Sequence, residues 1–127
     1  MRSRLALGEK PLDWVGTSKR DFLAFPAPVQ FEFGNALGLA QFGGKHPKAK
    51  PWKGEGPGVF EVVENYDGDT YRAVYTVRHR EVAYVLHAFQ KKSPTGIRTA
   101  RTDIALIARR LRIAQQDYEA RYDEITR

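Results

Sequence analysis

Three apolar segments joined by two very short links constrain the fold of this chain more than any other feature. The segments are VFEVVE (59–64), TYRAVYTV (70–77) and EVAYVLHAF (81–89). The Asp67-Gly68 pair between the first two is a strong hairpin signal, and residues 78–80 leave room only for a second tight turn. The third segment is nearly continuous in apolar character, which is typical of a central strand covered on both faces. The sequence therefore predicts a three-stranded antiparallel meander.

Helices are predicted before and after this meander. A short strand, PLDWVG (11–16), precedes a short helix that Ser18 caps. A second helix begins near Pro28 and ends at Gly43, with apolar residues recurring at spacings of three and four. After the meander, an apolar stripe across 97–125 predicts one long helix. The fold class is α+β, with two N-terminal helices and a C-terminal helix packed on a small antiparallel sheet.

Length and composition exclude several classes of protein. A chain of 127 residues with 42% hydrophobic residues is expected to form one domain, 1–127, with residues 1–9 flexible and 118–127 a helical tail. It has no cysteine, and its three histidines lack metal-ligand spacing, so no metal and no cofactor is predicted. No apolar stretch is long enough for a membrane span or a signal peptide, which favours a cytoplasmic protein.

Basic residues are the strongest functional signal. The formal charge is +6, which suggests an anionic partner such as RNA, DNA or an acidic protein. Lysines lie in the loop that enters the sheet, and further cations lie on the meander and at its exit. If these converge on one side, they form a groove that neutralises phosphates, with Trp52, Tyr66 and Tyr75 available to stack on bases.

Each of these residues also has a purely structural interpretation. Arg72 is placed to pair with Glu61 across the hairpin. His87 lies in an apolar run, where a packed and hydrogen-bonded histidine is common, and Tyr75 fits a core position equally well. The loop lysines are solvated in many proteins of this size. The residues alone leave these alternatives open.

The chain also resembles a known family. The stretches DGDTYRAVYTV, YVLHAFQKKS, KAKPWKGEGPGVFEVVE, KPLDWVGTSKRDFLAFP and GLAQFGGKHPKAK are similar to the phage-derived, HigB-like branch of the RelE/ParE toxin superfamily. The resemblance covers nearly all of residues 10–118. It implies a type II toxin that acts as a ribosome-dependent mRNA endoribonuclease and is neutralised by a helix-turn-helix antitoxin in a hetero-oligomer. Val63 departs from many RelE-like toxins, which carry an arginine there, and Thr99-Ala100 stands where relatives often have Thr-Pro.

RNA cleavage is a reaction that these residues could catalyse. The 2′-OH of RNA can attack the adjacent phosphorus, so a protein need only align the sugar, stabilise charge and move protons, without a metal. The catalytic candidates are Arg72, Tyr75, His87, Lys91 and Lys92. The candidates for RNA binding are Lys45, Lys48, Lys50, Trp52 and Lys53. A lysine beside other cations has a lowered pKa and can act as a base.

Two other functions remain compatible with the sequence. The first is a non-catalytic, ParE-like poison of DNA gyrase, and the second is a non-toxic phage protein that binds nucleic acid. Basic residues around a groove favour the nuclease, whereas the lack of a convincing general acid besides His87 and Tyr75 keeps the alternatives open.

Overall fold

The computed structural model describes residues 5–91 and 100–126, with side chains described as far as residue 122. The elements in chain order are β1 (Leu12–Trp14), α1 (Ser18–Leu23), α2 (Ala27–Gln41), β2 (Lys50–Pro51), β3 (Val59–Tyr66), β4 (Asp69–Thr76), β5 (Ala83–Lys91) and α3 (Arg101–Thr126). The described residues thus form three helices and a five-stranded sheet, which confirms the predicted fold class. No helix among them is long and apolar enough to cross a membrane.

The central meander forms as the sequence predicts. Tyr66 pairs with Asp69 at the end of the β3–β4 hairpin, so its loop is the two residues Asp67 and Gly68. Both have positive φ, 51° and 83°, as a type I′ turn requires. β4 then pairs antiparallel with β5, with an irregularity between Val74 and Tyr75. Local turn chemistry therefore fixes the register of the strands that carry the site.

The edge of the sheet differs from the purely antiparallel arrangement expected. The strand order is β1-β5-β4-β3-β2, and β1 lies parallel to β5, with Leu12 opposite Ala83 and Trp14 opposite Val85. The sheet is therefore mixed. The whole chain from α1 to β4 separates these two strands, which is ample for the crossover that a parallel pair requires.

The sheet is covered on both faces. On one face, here called the α2 face, Phe33 of α2 belongs to a core with Val62 and Tyr75. On the other, here called the α3 face, Ile107 and Leu111 of α3 belong to a core with the following strand residues: Val59, Val74, Tyr84, Leu86 and Phe89. β5 is buried on both sides, as its continuous apolar sequence predicts. Each strand side chain can therefore be assigned to one of two faces.

The C-terminal half of α3 is attached to the edge strand by a polar cluster. Arg121 forms ion pairs with Asp13 of β1 and with Asp117 one turn earlier. The hydroxyl of Tyr84 donates a hydrogen bond of 2.6 Å to Asp117. These contacts hold α3 antiparallel to β5, because the start of the helix contacts His87 and this later part contacts Tyr84.

Candidate functional site

The alternation of side chains along the strands divides the predicted site residues between the two faces of the sheet. Directly paired residues share a face, and Arg72 is paired with Phe89, which belongs to the core beneath α3. Thr70, two residues before Arg72, is paired with Lys91. Arg72 and Lys91 are therefore diagonal neighbours on the α3 face. Glu61 lies on this face too, because it is paired with Val74.

Arg72 is held by a carboxylate across the hairpin. Its Nη1 lies 2.7 Å from Oε1 of Glu61, and the two side chains are only 13% and 16% exposed. The structure thus contains the Glu61 pair that the sequence offered as a structural interpretation. Among the described residues, the buried Nε of Arg72 has no hydrogen-bond partner. The buried Nε cannot reach a ligand, whereas the N–H groups of Nη2 make no hydrogen bond among the described residues and are available to one.

Lys91 lies beside this pair, and its surroundings lower its pKa. Partial burial and the nearby Arg72 guanidinium lower the pKa of Lys91 below its ordinary value, and the carboxylate of Glu61 partly opposes that effect. A lysine of this kind gives up its proton more readily than a solvated one, which suits it to proton transfer. Lys92 lies outside the described residues, as do Ile97 and Thr99.

The loop that enters the sheet does not place its cations on one surface. Lys50 is exposed on β2 and is paired with Glu61, which puts it on the α3 face. Lys48 binds the carboxylate of Glu64 at 3.1 Å, and Lys45 lies 5.5 Å from the centre of the Phe60 ring. Both of these contacts are on the α2 face, because Phe60 packs against the core there. The structure therefore places Lys45 and Lys48 on the face opposite Arg72 and Lys91.

Of the three aromatic candidates for base stacking, Trp52 and Tyr75 are buried, whereas Tyr66 at the end of β3 is 41% exposed. Trp52 is 7% exposed and belongs to the core beneath α3, and Lys53 follows it in an exposed turn. Tyr75 is 1% exposed on the α2 face and stacks with Phe60 at 5.9 Å between ring centres. Burial raises the pKa of Tyr75 to about 12. Both side chains are part of the core, which removes Trp52 and Tyr75 from the candidate site.

His87 is also buried, and both of its ring nitrogens are engaged. Its Nε2 lies 2.8 Å from a carboxylate oxygen of Asp103, and its Nδ1 lies 3.4 Å from Nη1 of Arg110. A neutral ring fits both contacts, since Nε2–H donates to Asp103 and Nδ1 accepts from the guanidinium. Burial, which outweighs the carboxylate, lowers the pKa of His87. The ring stacks on Phe89 at 4.4 Å, next to the strand position opposite Arg72.

Arg110, which contacts His87, was not singled out from the sequence. It is 8% exposed and donates to the backbone oxygen of Leu86 and to the hydroxyl of Thr17. Gly16, with φ of 58°, permits this approach, because a Cβ there would lie 3.0 Å from the guanidinium. The only sequence signal was an arginine between Ile107 and Leu111, on the face of α3 that otherwise carries its apolar stripe. Arg110 joins α3, β5 and the start of α1.

Two buried histidines make the stability of the fold sensitive to acid. Burial lowers the pKa of His79 as well as that of His87, and His79 stacks on Tyr118 at 4.6 Å. Below pH 6.5, the ordinary histidine pKa, the unfolded chain binds more protons than the folded chain. The free energy of unfolding is therefore expected to fall as the pH decreases from 6.5 through the folded-state values, and to be unaffected by these groups above it.

Urea denaturation at about pH 7.5 and about pH 5 tests this expectation. A His79→Phe variant keeps the aromatic contact with Tyr118 but cannot take up a proton, so its loss of stability between the two pH values should be smaller. An equal loss in both proteins would contradict the assignment of this acid sensitivity to His79, since carboxylates contribute equally to each.

Two solved structures have a fold similar to that of the described residues. The fold is similar to that of the isolated E. coli RelE toxin, with a TM-score of 0.51, 16% identity, and coverage of 79% of this chain and 97% of that chain. It is also similar to an E. coli RelE variant with two arginines replaced by alanine, in the free state, with a TM-score of 0.50, 16% identity, and coverage of 66% and 85%. The described residues thus share the fold of these two structures.

A family model identifies the branch. Residues 20–112 match the family described as Phage derived protein Gp49-like (DUF891), so the chain belongs to this family. The predicted phage-derived family is thereby confirmed, and the likeness to RelE is one of fold. No curated protein matches the chain. Among the described residues, no group of three His, Asp or Glu side chains is arranged to hold a metal ion.

Proposed function

We propose that this protein is the toxin of a type II toxin–antitoxin system and cleaves mRNA on the ribosome without a metal ion. The phage-derived family and the likeness to RelE support a toxin. The observation that carries the nuclease proposal is the arrangement on the α3 face, where Glu61 holds Arg72 beside Lys91. This site combines an oriented cation, which can stabilise phosphate charge, with a lysine of lowered pKa, which can accept the proton of the 2′-OH.

Arg72 is the proposed phosphate ligand. During attack by the 2′-OH, negative charge builds on the oxygens bonded to phosphorus. A fixed guanidinium stabilises this charge in the transition state more than it stabilises the smaller charge of the bound substrate. Glu61 is a positioning residue, because its contact at 2.7 Å restricts the rotation of the Arg72 side chain. The N–H groups of Nη2 are the proposed donors to the phosphate, because Nη1 contacts Glu61 and Nε is buried.

Lys91 is the proposed proton acceptor. Partial burial and the guanidinium of Arg72 favour the neutral amine of Lys91, which can take the proton of the 2′-OH as the new P–O bond forms. The P–O5′ bond breaks in the same displacement, which leaves a 2′,3′-cyclic phosphate and a 5′-oxygen that takes a proton from water. The sequence pairs Lys91 with Lys92, and a second cation at the end of β5 would neutralise a neighbouring phosphate. Lys50 and Lys53 are the proposed contacts with the adjoining RNA, since both side chains are exposed near the edge formed by β2.

His87 is not proposed to touch RNA. It is 6% exposed, and Asp103 and Arg110 occupy its nitrogens, so it cannot deliver a proton to a leaving oxygen without movement of α3. Its proposed role is to fix the start of α3 against β5, next to Phe89. This changes the sequence prediction from a catalytic histidine to a positioning one.

A gyrase poison is the competing function, and one observation favours it. The ion pair formed by Arg72 and Glu61 is mostly buried and satisfies one hydrogen-bonding nitrogen of the guanidinium. A purely structural ion pair would have the same features. A toxin that acts through protein contacts alone needs no oriented phosphate ligand. The order in which cellular processes fail distinguishes the two functions.

Induced expression without a partner protein is expected to arrest growth, with protein synthesis failing before DNA synthesis. The reason is that mRNA cleavage removes the template for translation directly. Incorporation of labelled methionine and labelled thymidine after induction measures the order, and primer extension locates cuts in mRNA. An Arg72→Gln variant serves as the control. DNA damage signalling that precedes any fall in translation, with intact mRNA, would establish the gyrase alternative instead.

The proposed partner is a helix-turn-helix antitoxin that forms a hetero-oligomer with the toxin. Its proposed contact is the α3 face around Lys91, because a site that attracts phosphates also attracts carboxylates. A small reading frame encoding a helix-turn-helix protein beside the gene would support this assignment, and its purification in complex with the chain would test it.

A further inference from the structure

The solvent-facing side of α3 carries a row of arginines and alanines. Arg101, Ala105, Ala108 and Arg112 follow one another at spacings of four, three and four, which places them on one side of the helix. Arg109 lies beside them, three residues before Arg112. These five residues, here called the arginine row, are exposed except for Ala108, which is half-buried. The row is opposite the buried side of α3, whose apolar members are Ile107, Leu111 and Ala114.

This part of α3 carries half of the net charge of the chain. Residues 101–116 contain four arginines and one aspartate, a net charge of +3, whereas the whole chain has +6. The aspartate, Asp103, contacts His87 at the sheet. Within the part of the chain that the structure describes, the three arginines of the row form no ion pair. The charge of the row is therefore not neutralised by neighbouring side chains there.

The row also opposes the stability of its own helix. Arg109 and Arg112 are three residues apart, and like charges at that spacing repel each other. Arg101 begins the helix, where the helix dipole already places partial positive charge. A role in stabilising α3 therefore does not account for these arginines. An anionic partner would remove both unfavourable effects.

We propose that the arginine row docks a double-helical segment of RNA through its phosphate backbone. This rests on the proposed function, because a toxin that acts on the ribosome is surrounded by double-helical ribosomal RNA. The Cα atoms of Arg101 and Arg112 are separated by eleven residues of helix, or about 16 Å at a rise of about 1.5 Å per residue. The two alanines between them let the RNA backbone approach the helix closely, while guanidiniums on either side reach its phosphates.

The composition of the row favours paired RNA over other anionic partners. Single-stranded RNA is bound largely by stacking of its bases on aromatic side chains, and residues 100–117 contain no aromatic residue. Double-helical RNA is recognised by its shape and its phosphates, across a wide and shallow groove that suits small and basic side chains. An amphipathic helix of a partner protein needs a hydrophobic groove, whereas the centre of the row offers only Ala105 and Ala108.

Binding of an RNA duplex of about 16 base pairs tests this proposal without any need for cleavage. Fluorescence anisotropy over a range of salt concentrations measures the affinity. Arg101→Gln combined with Arg112→Gln should raise the Kd about tenfold and reduce the slope of log affinity against log salt by about 2, roughly one for each lost phosphate contact. The matched control, Lys45→Gln with Lys48→Gln, removes the same charge from the α2 face and should have a much smaller effect.

Two further measurements separate docking from folding and from cleavage. The arginine variant should melt at a temperature no lower than that of the unmodified protein, because it loses charges that are unfavourable for α3. With mRNA-programmed ribosomes, it should need about ten times more ribosomes for half-maximal cleavage, with a much smaller change in the rate at saturation.

The duplex measurement decides the proposal even if the proposed function fails. Unmodified protein that cuts no mRNA would contradict the proposed function, whereas the effect of the arginine variant on duplex binding would still be measurable. Duplex affinity that the arginine variant leaves unchanged would overturn the docking proposal, as would an equal effect of the lysine variant. An arginine variant that binds the duplex normally but loses affinity for an acidic antitoxin would overturn it too, and would assign the row to that protein.

Discussion

Replacing Arg72 by glutamine is expected to lower the rate of RNA cleavage by about 100-fold or more, since removing a single donor to a developing oxyanion typically costs a factor of about 100 to 1,000. The glutamine amide can still donate a hydrogen bond to Glu61, so the carboxylate is not left without a partner. Single-turnover cleavage of mRNA on programmed ribosomes measures the effect.

Stability must be measured alongside activity, because Arg72 is not a simple surface residue. Its ion pair with Glu61 is mostly buried, and an alanine there would leave the carboxylate unsatisfied at a cost of about 1–3 kcal/mol. Arg72→Ala is therefore expected to lose stability that Arg72→Gln keeps. Loss of folding in the alanine variant would establish the structural importance of the pair, while the glutamine variant reports on catalysis.

The lysines at the end of β5 provide an independent test of the same site. Lys91→Ala combined with Lys92→Ala should also abolish cleavage, although only Lys91 lies within the described residues. The matched control is Lys45→Ala with Lys48→Ala, which removes the same charge from the α2 face and should leave cleavage largely unchanged. Full activity in folded Arg72→Gln and in the Lys91 and Lys92 double variant would remove these residues from the mechanism.

Short-range features of the sequence predict the fold well. The Asp67-Gly68 turn fixes the β3–β4 register locally, and the apolar stripe after residue 100 predicts α3 because its period is that of a helix. The parallel pairing of Leu12 with Ala83 was not predictable in the same way. That contact joins positions about 70 residues apart, and nothing in a three-residue strand specifies its partner.

The candidate site was predicted only in part, and strand geometry explains why. Arg72 and Tyr75 are three residues apart on one strand, so a regular alternation already places them on opposite faces. The loop from 45 to 58 has no periodicity, and its lysines could be assigned to a face only when their partners Glu64 and Phe60 were known. The contact of His87 with Asp103 depends on how α3 crosses β5, which is a property of the packed core.

An antitoxin is expected to bind across the α3 face, and salt is expected to weaken that binding. Acidic side chains of the partner would take the places of RNA phosphates beside Arg72 and Lys91, which makes inhibition a direct competition for the site. Calorimetry of the complex at low and high salt measures the electrostatic part, because screening reduces attraction between exposed charges.

The lysine variants decide where this electrostatic contribution arises. An exposed ion pair contributes about 0.2–1 kcal/mol, so Lys91→Ala with Lys92→Ala should weaken antitoxin binding about 2- to 30-fold at low salt and less at high salt. Lys45→Ala with Lys48→Ala changes the net charge equally but alters the opposite face, so it should have a much smaller effect. Equal effects of the two double variants would mean that only net charge matters. Unchanged affinity in every condition would place the antitoxin elsewhere on the toxin, and inhibition would then have to be steric or allosteric.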